Sequence, residues 1–238
     1  MEIKFTSDIT VRLIDKMGGD DMVVRAARVS TQGADSWKVD QDDAAGLIGY
    51  LMKHRHGTPF EHGALTFCVH APIFVWREWH RHRIGFSYNE ESARYKTLEP
   101  VFYVPRRDRP MAKVGDWKPG RPKFLQLDND YYFDKLIRNL RSSYAPAYET
   151  YLDNLALGID PGLARDCLPV GIYSSCWVTC NPRSLMSFLS LRTHEPAAKF
   201  VSYPLWEIEE AARQCEAEFA EAWPLTHQAF VANGRVGP

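Results

Sequence analysis

The sequence has no surplus of charge of either sign: 29 Lys and Arg stand against 30 Asp and Glu over 238 residues, a net charge of -1. No global field therefore draws the chain to nucleic acid or to an anionic membrane, and any anion binding has to be local. Long apolar runs are missing too. The N-terminal MEIKFTSDIT has no apolar core of the kind found in secretory signals. The most apolar stretch, LTFCVHAPIFVW, is too short and too interrupted to span a bilayer. Together these absences imply a soluble, cytoplasmic protein. No CxxC pair occurs, and the five cysteines sit mostly among apolar neighbours (FCV, DCL, SCW, TCN, QCE), which points to reduced core thiols rather than a disulfide framework. No GxGxxG is present, so a Rossmann mode of holding a dinucleotide is not expected. His54, His56, His62, His80 and His82 lie at spacings that match no zinc pattern, so no metal is expected. Internal repeats and low-complexity tracts are absent as well.

What is present is a 45% hydrophobic chain, enough for one sizeable domain over residues 1–238. VVRAARVS has helical composition. The stretch from Asp42 to His54 places acidic residues first, Leu47, Ile48, Leu51 and Met52 on one face, and basic residues last, which predicts an amphipathic helix. ALTFCVHA alternates Leu65, Phe67 and Val69 against Thr66, Cys68 and His70, the period of a strand. Pro72 then suits the first turn of a helix in PIFVWREWHRHR, so the polar stretch after it starts at a helix end and continues as a loop. VFYV reads as a short strand. Residues 104–124 carry seven basic and two acidic residues with four prolines, which reads as a long loop. A helical pattern runs from Asp130 to Leu157, with Pro146 expected to kink or split it. Asp160-Pro161 and Asn181-Pro182 read as N-caps of GLARDCLP and PRSLMSFLSLR, separated by the strand-like VGIYSSCWVTC. A last amphipathic helix, acidic outside, is expected from Trp206 to Ala222.

The chemistry concentrates in RHRIGFSYNEESARY, Arg81 to Tyr95. Arginine offers a planar fork of donors suited to phosphate, while serine and asparagine give short directional bonds. The mixture suits a phosphorylated ligand carrying a polar ring. The same residues also fit a solvated, salt-bridged turn. Arg165 and Arg192 stand in otherwise apolar segments, where a charge needs a partner; each also fits a snorkelling or helix-capping role.

Read with RAARVS, LMKHRHGTPFEH, APIFVWREWHRHR, LARDCLP and NPRSLMSFLSLR, this stretch resembles, in order and spacing from Arg25 to Arg192, the flavin-dependent thymidylate synthases, whose signature is RHR, seven residues, S. The resemblance implies an α+β fold with a central, mostly antiparallel sheet and flanking helices. It implies FAD contacts at Ser30, His56, Thr58, Glu61, Arg81, His82, Arg83, Ile84, Asn89, Asn181, Arg183 and Ser187. It implies dUMP contacts at Glu78, Arg81, Glu90, Glu91, Ser92, Ala93 and Arg94, with Arg165 and Arg192 from a neighbouring subunit of a homotetramer. Ser92 and Arg192 would be catalytic. The implied reaction converts dUMP to dTMP, with methylenetetrahydrofolate as carbon donor and NADPH reducing the FAD. None of the five cysteines has an adjacent histidine or lysine, which agrees with a reaction that uses no thiol nucleophile. The chain departs from the pattern in having eight residues between RHR and Ser92, in Ser187 where the family has asparagine, and in a longer segment between Arg192 and Trp206. A reading of another class, single-stranded nucleic-acid binding by the basic loop with Trp117 and Phe124, is opposed by the near-zero net charge.

Overall fold

The computed structural model describes residues 2–38, 43–115, 118 and 123–238. Strands β1 (Lys4–Thr6) and β2 (Thr10–Met17) lead into helices α1 (Asp20–Gln32) and α2 (Ala44–Lys53), and strand β3 (Ala64–Pro72) runs straight into α3 (Ile73–Trp79). Four short strands follow: β4 (Phe86–Glu90), β5 (Val101–Tyr103), β6 (Ala112–Lys113) and β7 (Phe124–Leu125). Then come α4 (Asp130–Ala156), α5 (Pro161–Ala164), β8 (Tyr173–Cys180), α6 (Pro182–Arg192), α7 (Trp206–Ala222) and α8 (Pro224–Ala232). The principal sheet has the order β2-β3-β8-β4. β3 and β8 run antiparallel, because Thr66 pairs with Thr179 and His70 with Ser175: one residue number rises as the other falls. β1 and β5 form a separate parallel pair, with Phe5 opposite Phe102.

Contacts divide the chain into two compact units whose segments alternate in sequence. One holds Met1–Ile9, His70–Trp79 and Glu90–Cys176, the other Thr10–Val69, His80–Asn89 and Trp177–Pro238.

The first unit is organised by α4, a single 27-residue helix that runs unbroken through Pro146. Proline removes one helix hydrogen bond. The helix persists because Tyr144, Tyr148 and Tyr151 on either side of it are buried in one cluster with Leu98, Phe102 and Ile172. Their hydroxyls are not wasted: Tyr148 donates to the Leu98 carbonyl at 2.7 Å, and Tyr151 accepts from the Leu98 amide at 3.4 Å. α5 starts as its sequence predicts, with the Asp160 carboxylate accepting from the Gly162 amide at 2.6 Å. In the basic loop, β6 and β7 pair antiparallel, Ala112 opposite Leu125. Trp117 lies outside the described residues, as does Asp42 at the predicted start of α2.

In the second unit α7 packs on β2, α6 and α8, and α2 packs on α1 and α8. α7 buries Ile208, Ala211, Ala212, Cys215 and Phe219, the stripe its periodicity predicts. α8 and β2 carry no comparable sequence signal. The orphan amides at the start of α8 are satisfied from far away in sequence: the Asp20 carboxylate accepts from Leu225 N (2.8 Å), Thr226 N (2.9 Å) and Thr226 Oγ1 (2.6 Å). Pro72 ends β3 rather than opening α3, and the signature stretch is not all loop, since Phe86–Glu90 joins the sheet as β4.

Glu216, on the side of α7 expected to be solvated, is 9% exposed. Burial alone would raise its pKa, but hydrogen bonds from His227 and Arg235 outweigh it and hold the carboxyl at about 2, against an ordinary 4.5. The unfolded chain therefore binds an extra proton between pH 4.5 and about 2. Stability falls as the pH drops through that window, by roughly 3 kcal/mol in all. Melting curves from pH 5 to 2 are expected to show this loss. Glu216→Gln should be less stable at neutral pH and flatter across the same range; an unchanged slope would remove the carboxylate as its source.

Candidate active site

The second unit contains a cavity of about 1080 Å³, at the upper end of the few-hundred to about 1,000 Å³ typical of small-molecule sites. Eight of the twelve residues predicted to touch FAD line it: Glu61, Arg81, His82, Arg83, Ile84, Asn181, Arg183 and Ser187. Three elements meet there. The turn after α3 supplies Arg81 to Ile84, α6 presents its N-terminal end, and the short 3-10 turn Thr58–Glu61 supplies Glu61. Asn181 caps α6 by accepting from the Ser184 amide at 2.8 Å, so the positive end of an eleven-residue helix borders a wall of arginines.

Gly85 explains how the signature turn reaches that helix end. Its φ is +68°, and a Cβ there would lie 2.9 Å from Asn181 Nδ2 and collide with Ser184 Oγ. Arg183 donates through Nε to the Pro238 main-chain oxygen at 3.0 Å and pairs with Glu61 at 2.5 Å. The donor set, with Arg81, Arg83 and Arg183 beside helix amides, fits the diphosphate of a dinucleotide such as FAD.

His82 is the best-defined group of the turn. Its Nε2 accepts from Arg192 Nε at 3.0 Å, its ring stands edge-on to Phe188 at 5.0 Å, and its carbonyl accepts from Tyr88 Oη at 2.6 Å. Burial, then the charges of Arg192 and Arg81, push its pKa down to about 4. The imidazole is thus neutral at pH 7, with its proton on Nδ1. Ile84 is 91% exposed, an apolar side chain held open beside a polar cavity. The remaining predicted FAD residues lie outside the lining. Ser30 bonds back to Ala27 O at 2.9 Å, His56 stacks near Tyr50, and Thr58 and Asn89 are exposed.

The first unit contains a smaller cavity of about 370 Å³, lined by Glu90, Glu91, Ala93 and Arg165 among the predicted dUMP residues. Glu90 accepts from Ser174 Oγ at 2.6 Å. Both oxygens of Glu91 are engaged within the chain, by the Ser175 amide at 2.7 Å and Lys96 Nζ at 3.0 Å. Ser92 Oγ accepts from the Arg94 amide at 3.3 Å and opens a turn, with Tyr95 N bonded to Ser92 O. Arg94 is exposed and lies over the Tyr95 ring, and Glu78 is half-buried in α3. Among the described residues no three His, Cys, Asp or Glu side chains are grouped to hold a metal.

The family model described as thymidylate synthase complementing protein matches residues 12–225. The chain is 50% identical to the flavin-dependent thymidylate synthase of Streptomyces coelicolor, over 100% of this chain and 96% of that one. It is 46% identical to that of Tropheryma whipplei, over 100% and 98%. The chain belongs to the flavin-dependent thymidylate synthase family. Its fold matches that of the UMP/dUMP methylase PolB from Streptomyces cacaoi bound with 5-Br dUMP, with a TM-score of 0.91, 46% identity, and coverage of 99% of this chain and 100% of that one. The same methylase bound with 5-Br UMP matches with a TM-score of 0.90.

Two parts of the cavity wall lie outside the family motifs, the stretch Phe200 to Ser202 and Arg235 to Pro238, and three more, Arg55, Gly85 and Ser184, lie within those motifs without being among the expected ligand contacts. The longer segment after Arg192 reaches the wall because Arg213 of α7 pins it, bonding His194 O and Glu209 Oε1, each at 2.9 Å, and pairing with Glu195. Asn181-Pro182 was the one sequence signal that pointed to a helix N-terminus here. Nothing in the sequence marked the C-terminal segment.

Proposed function

We propose that the protein methylates dUMP at C5 to give dTMP, with FAD held in the arginine-walled cavity, methylenetetrahydrofolate as carbon donor and NADPH as reductant. The observation that carries this reading is the convergence of Arg81, Arg83 and Arg183 with the N-terminus of α6 in a dinucleotide-sized cavity, in a chain of this family. Bound FAD would supply hydride transfer, taking a hydride from NADPH and passing it to the methylene carbon. The remaining work belongs to the side chains. Arg81, Arg83 and Asn181 would orient the cofactor. Glu90, Ser92, Ala93, Arg94 and Arg165 would hold the nucleotide, and Arg192 would stand at a pyrimidine carbonyl, where negative charge develops as C5 becomes nucleophilic. We further place Arg165 and Arg192 in neighbouring subunits of a homotetramer relative to the Ser92 they serve; the exposure of Ile84 supports cover by a ligand or another chain.

The cysteines support a route without a thiol. Burial pushes the Cys180 and Cys215 thiols up in pKa, so neither is a ready nucleophile. A variant with all five cysteines replaced by Ser or Ala is expected to release tritium from [5-³H]dUMP at close to the parent rate. Loss of that release in a folded, yellow variant would overturn the thiol-free route. The whole reading is tested by the purified protein's visible spectrum, its bleaching by NADPH, and dTMP formation when folate and dUMP are added. A colourless protein that makes no dTMP when supplied with FAD would sink it.

A second reading, methylation of UMP as well as dUMP, is favoured by the likeness to the UMP/dUMP methylase. Comparing kcat/KM for the two nucleotides separates them.

A further inference from the structure

We propose that Thr193 and Arg235 are positioning residues for Arg192, and that the buried Glu216–Arg235 pair fixes where its guanidinium stands. This rests on the reading of Arg192 given above. Arg192 is the last residue of α6, and Thr193 is its C-cap, with an extended backbone (φ −122°, ψ 141°). Thr193 is 2% exposed, and its hydroxyl is used twice: it donates to Leu189 O at 2.7 Å and accepts from Arg235 Nη2 at 2.9 Å. Arg235, 8% exposed, is gripped by both carboxylate oxygens of Glu216, at 2.6 and 2.8 Å, and lies over the Phe230 ring at 5.0 Å. His227 closes the far side of Glu216 at 2.9 Å.

A two-pronged guanidinium–carboxylate pair has few alternative geometries, and breaking it would leave a buried charge unpaired. The pair is therefore a rigid anchor. Its third bond ends one residue from Arg192, whose Nε then meets His82 Nε2 at 3.0 Å. The anchor also holds Arg235 at φ +59°, a conformation that bulky residues avoid. A merely structural staple for the C-terminal segment would use the same contacts, and Lys199 N bonded to Gly234 O at 3.0 Å already serves that end. The two roles differ in one respect: only positioning requires Arg192 to move when the Thr193 bond is lost.

His82 reports that movement in the protein without substrate, because the charge of Arg192 is one of the causes of its low pKa. In Thr193→Val, NMR titration is expected to show the His82 midpoint rising toward its ordinary 6.5. In the flavin-loaded enzyme kcat should fall between about tenfold and about a hundredfold, with flavin content and the KM for dUMP unchanged, and Thr193→Ser should restore both readouts. A lowered melting temperature with His82 titration and kcat as in the parent would reduce the network to a staple and overturn the proposal. Arg235→Lys, which keeps the charge but loses the fork, is the second variant should Thr193→Val not fold. It is expected to raise the His82 midpoint, and an unmoved midpoint there overturns the proposal equally. If the parent makes no dTMP, the proposed function fails while the His82 titration still decides this inference.

Discussion

Arg192→Ala is expected to abolish dTMP formation in a protein that still purifies yellow. The groups that would hold the flavin, Arg81, Arg83, Arg183 and Asn181, lie at the other end of α6 or on the signature turn. Truncating Arg192 leaves them in place. What is lost is a fixed positive charge, and His82 beside it, neutral above about pH 4, does not replace it. Removing one such preorganised donor typically costs two to three orders of magnitude in kcat, about 3–4 kcal/mol of transition-state stabilisation. The loss should be seen at saturating dUMP as well as at low dUMP, because the interaction strengthens as charge develops on the base. Assays of dTMP formation and the flavin spectrum on the same preparation check it. Near-normal turnover would remove Arg192 from the reaction.

Gly85→Ala should have the opposite signature, losing the flavin while keeping the fold. An added methyl group faces two costs. The backbone sits at φ +68°, where an L side chain is disfavoured by about 1 kcal/mol, and the methyl would collide with Ser184 Oγ, a half-turn inside α6. Ser184 is 8% exposed and Asn181 is engaged as the cap, so neither side chain has free room to withdraw. The economical response is for the turn carrying Arg81, His82 and Arg83 to pull away from the helix end. That would separate the arginines from the α6 amides and dismantle the anion site, while the buried faces of α6 and α7 stay packed. The ratio of flavin to protein absorbance, set beside the melting temperature of flavin-stripped parent and variant, measures both effects. A variant that retains its full flavin content would show that this contact does not shape the cavity.

How far the site could be read from residues alone varied with the kind of interaction. RHR, the Asn181-Pro182 cap and Arg183 are local in sequence, and the geometry of a turn or a helix start carries them to one wall of the cavity. Glu91 shows the limit of a residue type. A carboxylate in the signature could serve a ligand or the fold, and here its oxygens bond Ser175 and Lys96. Pro146 shows how packing overrides propensity, because a buried tyrosine cluster outweighs one missing helix hydrogen bond. α8 has no local capping signal for its start, because its cap comes from Asp20, about two hundred residues earlier.

The sequence by itself determined the elements whose signals are periodic or contiguous: the alternation of β3, the apolar stripe of α7, the capped starts of α5 and α6, and the ordered motifs that mark the family. These follow from sterics and from side chains within a turn or two of one another. Tertiary structure alone decided that Gly85 must lack a side chain, that Arg235 and Glu216 meet in a buried interior beside Thr193, and that His82 is held neutral. Each depends on which distant groups share a small volume of low dielectric, and no local pattern encodes that proximity.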